Sequence, residues 1–455
     1  MGSIHACETF FSHIDNLNMS IADHIPQVRS QYEDLPYPPR DPADEKSRLI
    51  TTWLDDLPMI NHYCFGGLQT FSNRFRVLVA GGGTGDATIF LAEQLRNTDA
   101  QIVHLDLSAA SIEVGKQRAR MRGLQNITWL HDSLLGLPER GIEPFDYINC
   151  AGVLHHLAEP DAGLKALLSV LKESGAVGIM VYAQIGRTAV YQMQSMLRKI
   201  NHHETSKARM IANARAVLAA LPNSNWFKRA EADLYLDHEN LGDSGVFDLL
   251  LHPQDRAYTI EELFAWLADD NGLHIELTDV ARGSAAYRPE LMVAAPHQKT
   301  MAALTGNLPL RQRFAVAEEL SGNLIHHTFY ATRGVKRRAP YGDPDFVPFL
   351  FHEPVTGADL ATLIRRNNSR PFVLNHAHTA ISTLINPGNF GAAILDQLDG
   401  QKCFGEIFAQ VRNASSNAPD DAALFQDFHP LFDFLTAIDR LLLRHRLVKF
   451  PQKSI

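Results

Sequence analysis

The most constraining feature of the chain is a short apolar run, Arg76-Val-Leu-Val-Ala80, that ends directly in Gly81-Gly-Gly-Thr-Gly85 and passes into Asp86-Ala-Thr-Ile-Phe-Leu-Ala-Glu-Gln-Leu95. An unbroken apolar run, a glycine turn and a periodic segment read as strand, turn and helix. Without Cβ atoms the turn can bend tightly, and a ligand can approach the free amides at the helix start. A second run, Gln101-Ile-Val-His-Leu105, stops at Asp106; Ser108 or Ser111 can cap a helix through Arg122, and Gly123 ends it. The alternation continues through Ile127–Leu130, Phe145–Ile148, a helix over Ala162–Leu171 and Ala176–Tyr182. Five strands alternating with helices predict a doubly wound, mainly parallel sheet, because parallel neighbours need crossover connections.

Beyond Tyr182 the periodicity is helical over Ala189–Lys199 and Ser206–Ala220, then polar from Asp233 to Asp255. Thr259-Ile-Glu-Glu262 is a capping-box pattern opening a helix over Ile260–Ala268, and His274–Thr278 reads as a late strand. Arg311–Leu324 is again helical, followed by Thr328-Phe-Tyr330 and a Pro- and Gly-bearing linker, Pro340–Pro354. Helices over Ala392–Leu398, Phe404–Val411 and Leu431–Arg446, then a strand at Leu447–Phe450, suit a small winged-helix-like unit. With 455 residues the chain has room for several units. The expected division is an N-terminal helical or lid segment (1–70), a sheet core (71–186), a helical insertion (187–256), the end of the sheet (257–298), a helical linker or regulatory region (299–365) and a C-terminal winged-helix-like domain (366–455).

Asp plus Glu (51) exceed Lys plus Arg (42), for a net charge of -9. That balance offers no general attraction to nucleic acid or an anionic membrane. Cys7, Cys64, Cys150 and Cys403 are too dispersed for a disulfide framework or a zinc site. With no secretory leader and no stretch of 18 apolar residues, a cytoplasmic location is expected. His376 and His378, with His352, lack complementary cysteine or carboxylate spacing, so no metal is expected.

Gly81, Gly83 and Gly85 form G-x-G-x-G, and Asp106 follows at the end of the next strand, about 20 residues on, where a carboxylate can accept from both hydroxyls of a ribose. From Arg76 to Tyr182 the chain resembles class I S-adenosylmethionine-dependent methyltransferases, through VLVAGGGTGDATI (77–89), HLDLSAASI (104–112), HDSLLGLP (131–138), FDYINCAGVLHHLAEP (145–160) and AVGIMVYA (176–183). The resemblance implies a Rossmann-like, seven-stranded methyltransferase sheet with S-adenosyl-L-methionine as cofactor. It implies that the glycines approach the methionine part, Asp106 holds the ribose, Leu107 packs on adenine, Asp132 and Ser133 reach the adenine amino group, and Ala151 with its neighbours borders the methyl group. One position departs: most members carry an acid where this chain has Val79. Asp86 is a candidate substitute, although a carboxylate in a first helical turn also simply suits the helix dipole.

Upstream, Gln31-Tyr-Glu-Asp-Leu-Pro-Tyr-Pro-Pro-Arg-Asp-Pro42 resembles a Tyr-x-x-x-Pro-Tyr-Pro segment of the same methyltransferases, which implies Tyr32 and Tyr37 over the cofactor cleft; a packing strap is the alternative. His155 and His156 follow the fourth strand, where a neutral imidazole can take a proton, the alternative being local hydrogen bonding that shapes the loop; these two and Tyr37 are the candidate catalytic residues. Tyr182, His252, Asp255 and Arg256 are candidate acceptor contacts. Arg311–Arg333 and Leu395–Val411 resemble the regulatory and C-terminal regions of bacterial protein-lysine methyltransferases with a methyltransferase regulatory domain. The expected activity is methyl transfer, leaning to a protein side-chain nitrogen. The alternatives are a small-molecule acceptor, a non-catalytic S-adenosylmethionine-binding scaffold and, least favoured, a nicotinamide oxidoreductase. Expected partners are the acceptor, protein or small molecule, and at most a second copy in a homodimer, with neither nucleic acid nor membrane.

Overall fold

The structure, a computed structural model, describes residues 24–450 except 353, 354, 377–380, 416 and 418. Cys7, His378 and the start of the 1–70 segment lie outside the described residues. At the centre, β1 (Arg76–Ala80), β2 (Gln101–Asp106), β3 (Ile127–His131), β4 (Phe145–Ala151) and β5 (Leu171–Ala183) pair in parallel. A two-residue β6 (Ala257–Tyr258) joins the end of β5. β7 (Leu273–Thr278) and β8 (His326–Arg333) complete a path of order β3-β2-β1-β4-β5-β8-β7, with β8 antiparallel to both its neighbours. Strand order reverses between β1 and β4, which opens a crevice at their carboxyl ends. Helices α1 (His24–Asp34), α2 (Leu57–Cys64), α3 (Asp86–Gln94), α4 (Ala109–Arg122) and α5 (Pro160–Ser169) accompany the parallel strands. One apolar cluster joins Leu78, Ile148, Ile179, Leu164 and Phe329; a second joins Val77, Val79, Ile60, Leu91 and Tyr330. Both faces of the sheet are thus covered, which is why its strands read as continuous apolar runs.

The sheet does not end at residue 298, because β8 inserts between β5 and β7. Only Thr328-Phe-Tyr330 stands out in the sequence, since this strand mixes polar with apolar residues, yet 327–332 is buried throughout. Its polar side chains find partners: the His327 ring bonds to the Tyr258 carbonyl at 3.0 Å and the Tyr287 hydroxyl at 3.2 Å, and the Thr332 hydroxyl donates to the Val335 carbonyl. Satisfied in this way, polar groups tolerate burial.

After β5, α6 (Thr188–Ile200), α7 (Lys207–Ala220), α8 (Trp226–Leu234) and short helical turns over 237–251 gather around Val190, Leu197, Phe227 and Leu250. The C-terminal region is helical (357–366, 391–396, 404–414, 421–437), with the hairpin β10 (Phe372–His376) and β11 (Ile381–Ile385). Its apolar cluster includes Phe346, Ala361 and Ile364, ahead of residue 366. The helix expected over Leu431–Arg446 instead stops at Ala437, and Leu441–His445 forms β12, antiparallel to β9 (Phe346–Leu350). Three successive leucines suit either period, and β12's partner is remote in sequence. Asp439, at φ 55, breaks the helix, and 447–450 is not a strand.

Candidate functional site

A cavity of about 460 Å³ lies at the carboxyl ends of β1, β2 and β4. It is lined by Tyr32, Tyr37, Gly81, Gly83, Asp106, Leu107, Asp132, Ser133, Ala151 and His156, so ten of the twelve residues expected from the sequence for cofactor binding or catalysis come together. Gly85 and His155 are not in the lining. Gly83 has φ 51, and a Cβ there would lie 2.7 Å from the Tyr37 carbonyl oxygen, so a side chain would collide with the strap above the turn. Gly85, at φ 100, precedes α3 and packs 3.3 Å (from an ideal Cβ) against the Gly115 backbone, which gives it a helix-packing task.

Asp106 is held by its own backbone surroundings: Oδ2 accepts from the Gly83 amide at 2.7 Å and Oδ1 from the Ser108 amide at 2.8 Å. Burial nevertheless raises its pKa, against the effect of these two donors. Each oxygen keeps lone-pair capacity toward the cavity, the arrangement a pair of hydroxyl donors requires. At the end of β3, Asp132 lines the cavity while pairing with Arg140, chiefly through side-chain hydrogen bonds that lower its pKa, and Ser133 caps the following turn. Leu105, Leu107 and Leu134 supply apolar wall between these polar ends. A flat heteroaromatic ring attached to a ribose suits this set of groups, so the residues present fit an adenosine-bearing cofactor.

The segment over the turn is latched to the core. The Thr84 hydroxyl donates to the Pro38 carbonyl at 2.7 Å and that of Ser108 to the Tyr32 carbonyl at 3.0 Å. Arg40 pairs with Asp86 at 2.6 Å, and the buried Arg118 bridges Asp86 to Glu45. Burial pushes the Asp86 pKa up, but Arg40 and Arg118 outweigh it and hold the carboxylate ionised. Asp86 is therefore committed to the latch.

The far end of the cavity is built from three regions of the chain. Tyr32 donates to Asp248 at 3.2 Å, Tyr37 to Asp237 at 3.4 Å and Tyr182 to Asp248 at 3.4 Å. Burial lifts the Asp248 pKa to about 6. Residue Gln254 sets two histidine tautomers. A carbonyl only accepts, so His156 Nδ1 donates to the Gln254 carbonyl at 3.0 Å, which leaves Nε2 as a bare lone pair. The Gln254 amide donates to His252 Nδ1 at 3.1 Å, so the His252 proton sits on Nε2, 3.4 Å from the Tyr32 oxygen. The two rings stack at 3.9 Å. Burial and the Arg187 guanidinium hold His156 neutral, with a pKa near 4. Ligand atoms of His156, Asp248 and His252 lie within 4.8 Å of one another. With the His252 proton on Nε2, His252 would have to exchange tautomers and give up the Gln254 amide before that nitrogen could ligate a cation.

His155 is fully buried beneath Tyr182, 3.8 Å between ring centroids, and Arg187 covers that ring from 3.5 Å. It is a packing residue at one remove from the cavity. Asp255 binds Gln194 and lies 3.9 Å from Arg187, and the exposed Arg256 covers Tyr258, so neither lines the cavity. Sequence reasoning missed Asp55, Asp237 and Asp248. Asp248 is a lone acid inside an otherwise apolar stretch, Val246-Phe-Asp-Leu-Leu-Leu251, and an acid that interrupts such a run is the signal that could have found it; Asp55 sits in an Asp55-Asp56 pair and carries no such signal.

Fold and site together define a class I S-adenosylmethionine-dependent methyltransferase, and the chain belongs to that family. Residues 78–177 match the family described as "Methyltransferase domain". An uncharacterised protein of Synechococcus sp. is 30% identical over 330 residues, 72% of this chain and 76% of that protein. The tRNA 5-carboxymethoxyuridine methyltransferase of Escherichia coli is 34% identical over 110 residues, 24% of this chain but only 41% of the enzyme. Among solved structures, PKMT2 from Rickettsia typhi in complex with AdoHcy superposes with a TM-score of 0.59 over 86% of this chain and 76% of that one, at 17% identity, which shows a shared fold. Among the described residues no helix is long and apolar enough to cross a membrane.

Proposed function

We propose that this methyltransferase acts on a side-chain nitrogen of a protein. The observation that carries the reading is the far end of the cavity, where Tyr32, Tyr37 and Tyr182 surround Asp237, Asp248 and the unprotonated Nε2 of His156. Carboxylates among aromatic rings suit a cationic amine before and after methylation. When bound, S-adenosyl-L-methionine supplies a methyl group activated on a sulfonium. Gly81 and Gly83, whose missing side chains let Val153 and the Tyr37 carbonyl close in, would lie along its methionine part, Asp106 would hold its ribose, and Leu107, Asp132 and Ser133 its adenine, with Ala151 beside the methyl group. Tyr32 and Tyr37 close the cavity and exclude water, which favours transfer through orientation. His156 Nε2 would receive the proton that an ammonium must lose before its nitrogen can attack. The resemblance of 311–333 and 395–411 to protein-lysine methyltransferases, and the fold shared with PKMT2, support the same reading. A net charge of -9 argues against an RNA acceptor.

The test is incubation of the purified protein with a native extract and tritiated S-adenosylmethionine, followed by separation of protein from small molecules. Label in protein, released on hydrolysis as N-methylated amino acid, is the expected result. Label confined to the small-molecule fraction would replace this acceptor with a metabolite.

A further inference from the structure

Among the described residues, Asp55 is the one cavity carboxylate without an assigned task. It comes from the turn before α2, is 1% exposed, and lines the cavity beside Val79 and Asn149. Its oxygens accept from the Asn149 amide at 2.8 and 3.0 Å and from the Thr52 hydroxyl at 2.7 Å. Among the described residues no lysine, arginine or histidine forms an ion pair with it, and Asp56 adds a like charge next door. A buried carboxylate with neutral donors alone is an expensive arrangement that a bound cation would relieve. Asp86, the other acid near the glycine turn, already has two arginines.

Sheet order says which part of the cofactor reaches Asp55. Neighbours run β3, β2, β1, β4. Asp132 and Ser133 follow β3, and Asp106 ends β2. With adenine at the first and ribose at the second, what remains of the molecule extends over β1 toward β4, where Val79 pairs with Asn149. That remainder is the sulfonium and its α-amino acid chain, which ends in an ammonium and a carboxylate. We infer that Asp55 is a cofactor-binding residue of this chain, its carboxylate, braced by Asn149 and Thr52, taking the α-ammonium that Val79 cannot hold. The inference rests on the cofactor occupying this cavity as described above.

Calorimetric titration of the full chain with S-adenosylhomocysteine and with methylthioadenosine, which lacks the amino-acid end, tests it. D55N is expected to weaken S-adenosylhomocysteine roughly 10- to 100-fold, the scale of hydrogen bonds to a charged group, and to leave methylthioadenosine unchanged. Equal affinity of D55N and wild type for S-adenosylhomocysteine, or an equal loss for both ligands, overturns it, the latter by showing a merely structural role. Should D55N not fold, the wild type is titrated with the desamino analogue of S-adenosylhomocysteine: weaker binding supports the assignment and equal binding overturns it. D106N separates this outcome from failure of the cavity itself, since it should weaken both ligands together; a wild type that binds neither would sink the underlying reading.

Discussion

The two ends of the cavity are made in different ways. At the cofactor end, Gly81, Gly83 and Asp106 belong to consecutive strand-turn units, and Asp106 is positioned by amides only two and 23 residues away in sequence. At the other end, where we propose that the acceptor binds, Tyr32 meets Asp248 across 216 residues, and His156 meets Gln254 across 98. One end is local backbone geometry that any chain with this turn reproduces. The other is assembled by the insertion and the N-terminal strap. Under the proposed function, chemistry common to a family belongs in the first and choice of acceptor in the second.

Separable losses would sharpen that contrast. H156A should lower methyl incorporation the most, by about 10²- to 10⁴-fold, because a positioned base is removed, with S-adenosylhomocysteine affinity unaltered by calorimetry. A parallel loss of affinity would merge the two ends. D106N should do the converse, weakening the cofactor roughly 100-fold through lost charge-assisted hydrogen bonds. G83A should cost about tenfold in the same titration, because its φ is left-handed and its Cβ meets the Tyr37 carbonyl.

The smallest effect is on stability and depends on pH. Burial raises the Asp55 pKa from 3.8 to about 7 in the folded chain. A raised value means that the native state holds a proton which the unfolded state has released, so the stability contribution is full below about 4 and lost as pH rises through about 7. D55N should therefore raise the thermal midpoint of the ligand-free protein by a few degrees at pH 8 and hardly at all at pH 4. Equal shifts at both pH values would show that the carboxyl is not protonated where burial would have it so.

The same contrast explains what could be read from residues alone. The strands up to Tyr182, the glycine turn and Asp106 were legible because each is a local pattern: an apolar run, a missing Cβ, an acid at a strand end. β8 was only half visible, as its buried His327 and Thr332 depend on Tyr258, Tyr287 and Val335. β12 depends on a strand that precedes it by a whole helical region. Asp86 was open to two readings until Arg40 and Arg118 closed on it. Asp55 gave no sign of reaching Asn149, 94 residues on, because nothing in a turn before a helix reports which cavity it borders.

The latched strap has a kinetic consequence. Arg118 joins Glu45 of the strap to Asp86 of α3, and the carbonyls of Tyr32 and Pro38 are tied to Ser108 and Thr84. Under the proposed function, spent cofactor leaving past Tyr37 would have to break several of these bonds at once, and turnover by that route would be paced by how often the strap lets go, a rate set by residues outside the reacting centre.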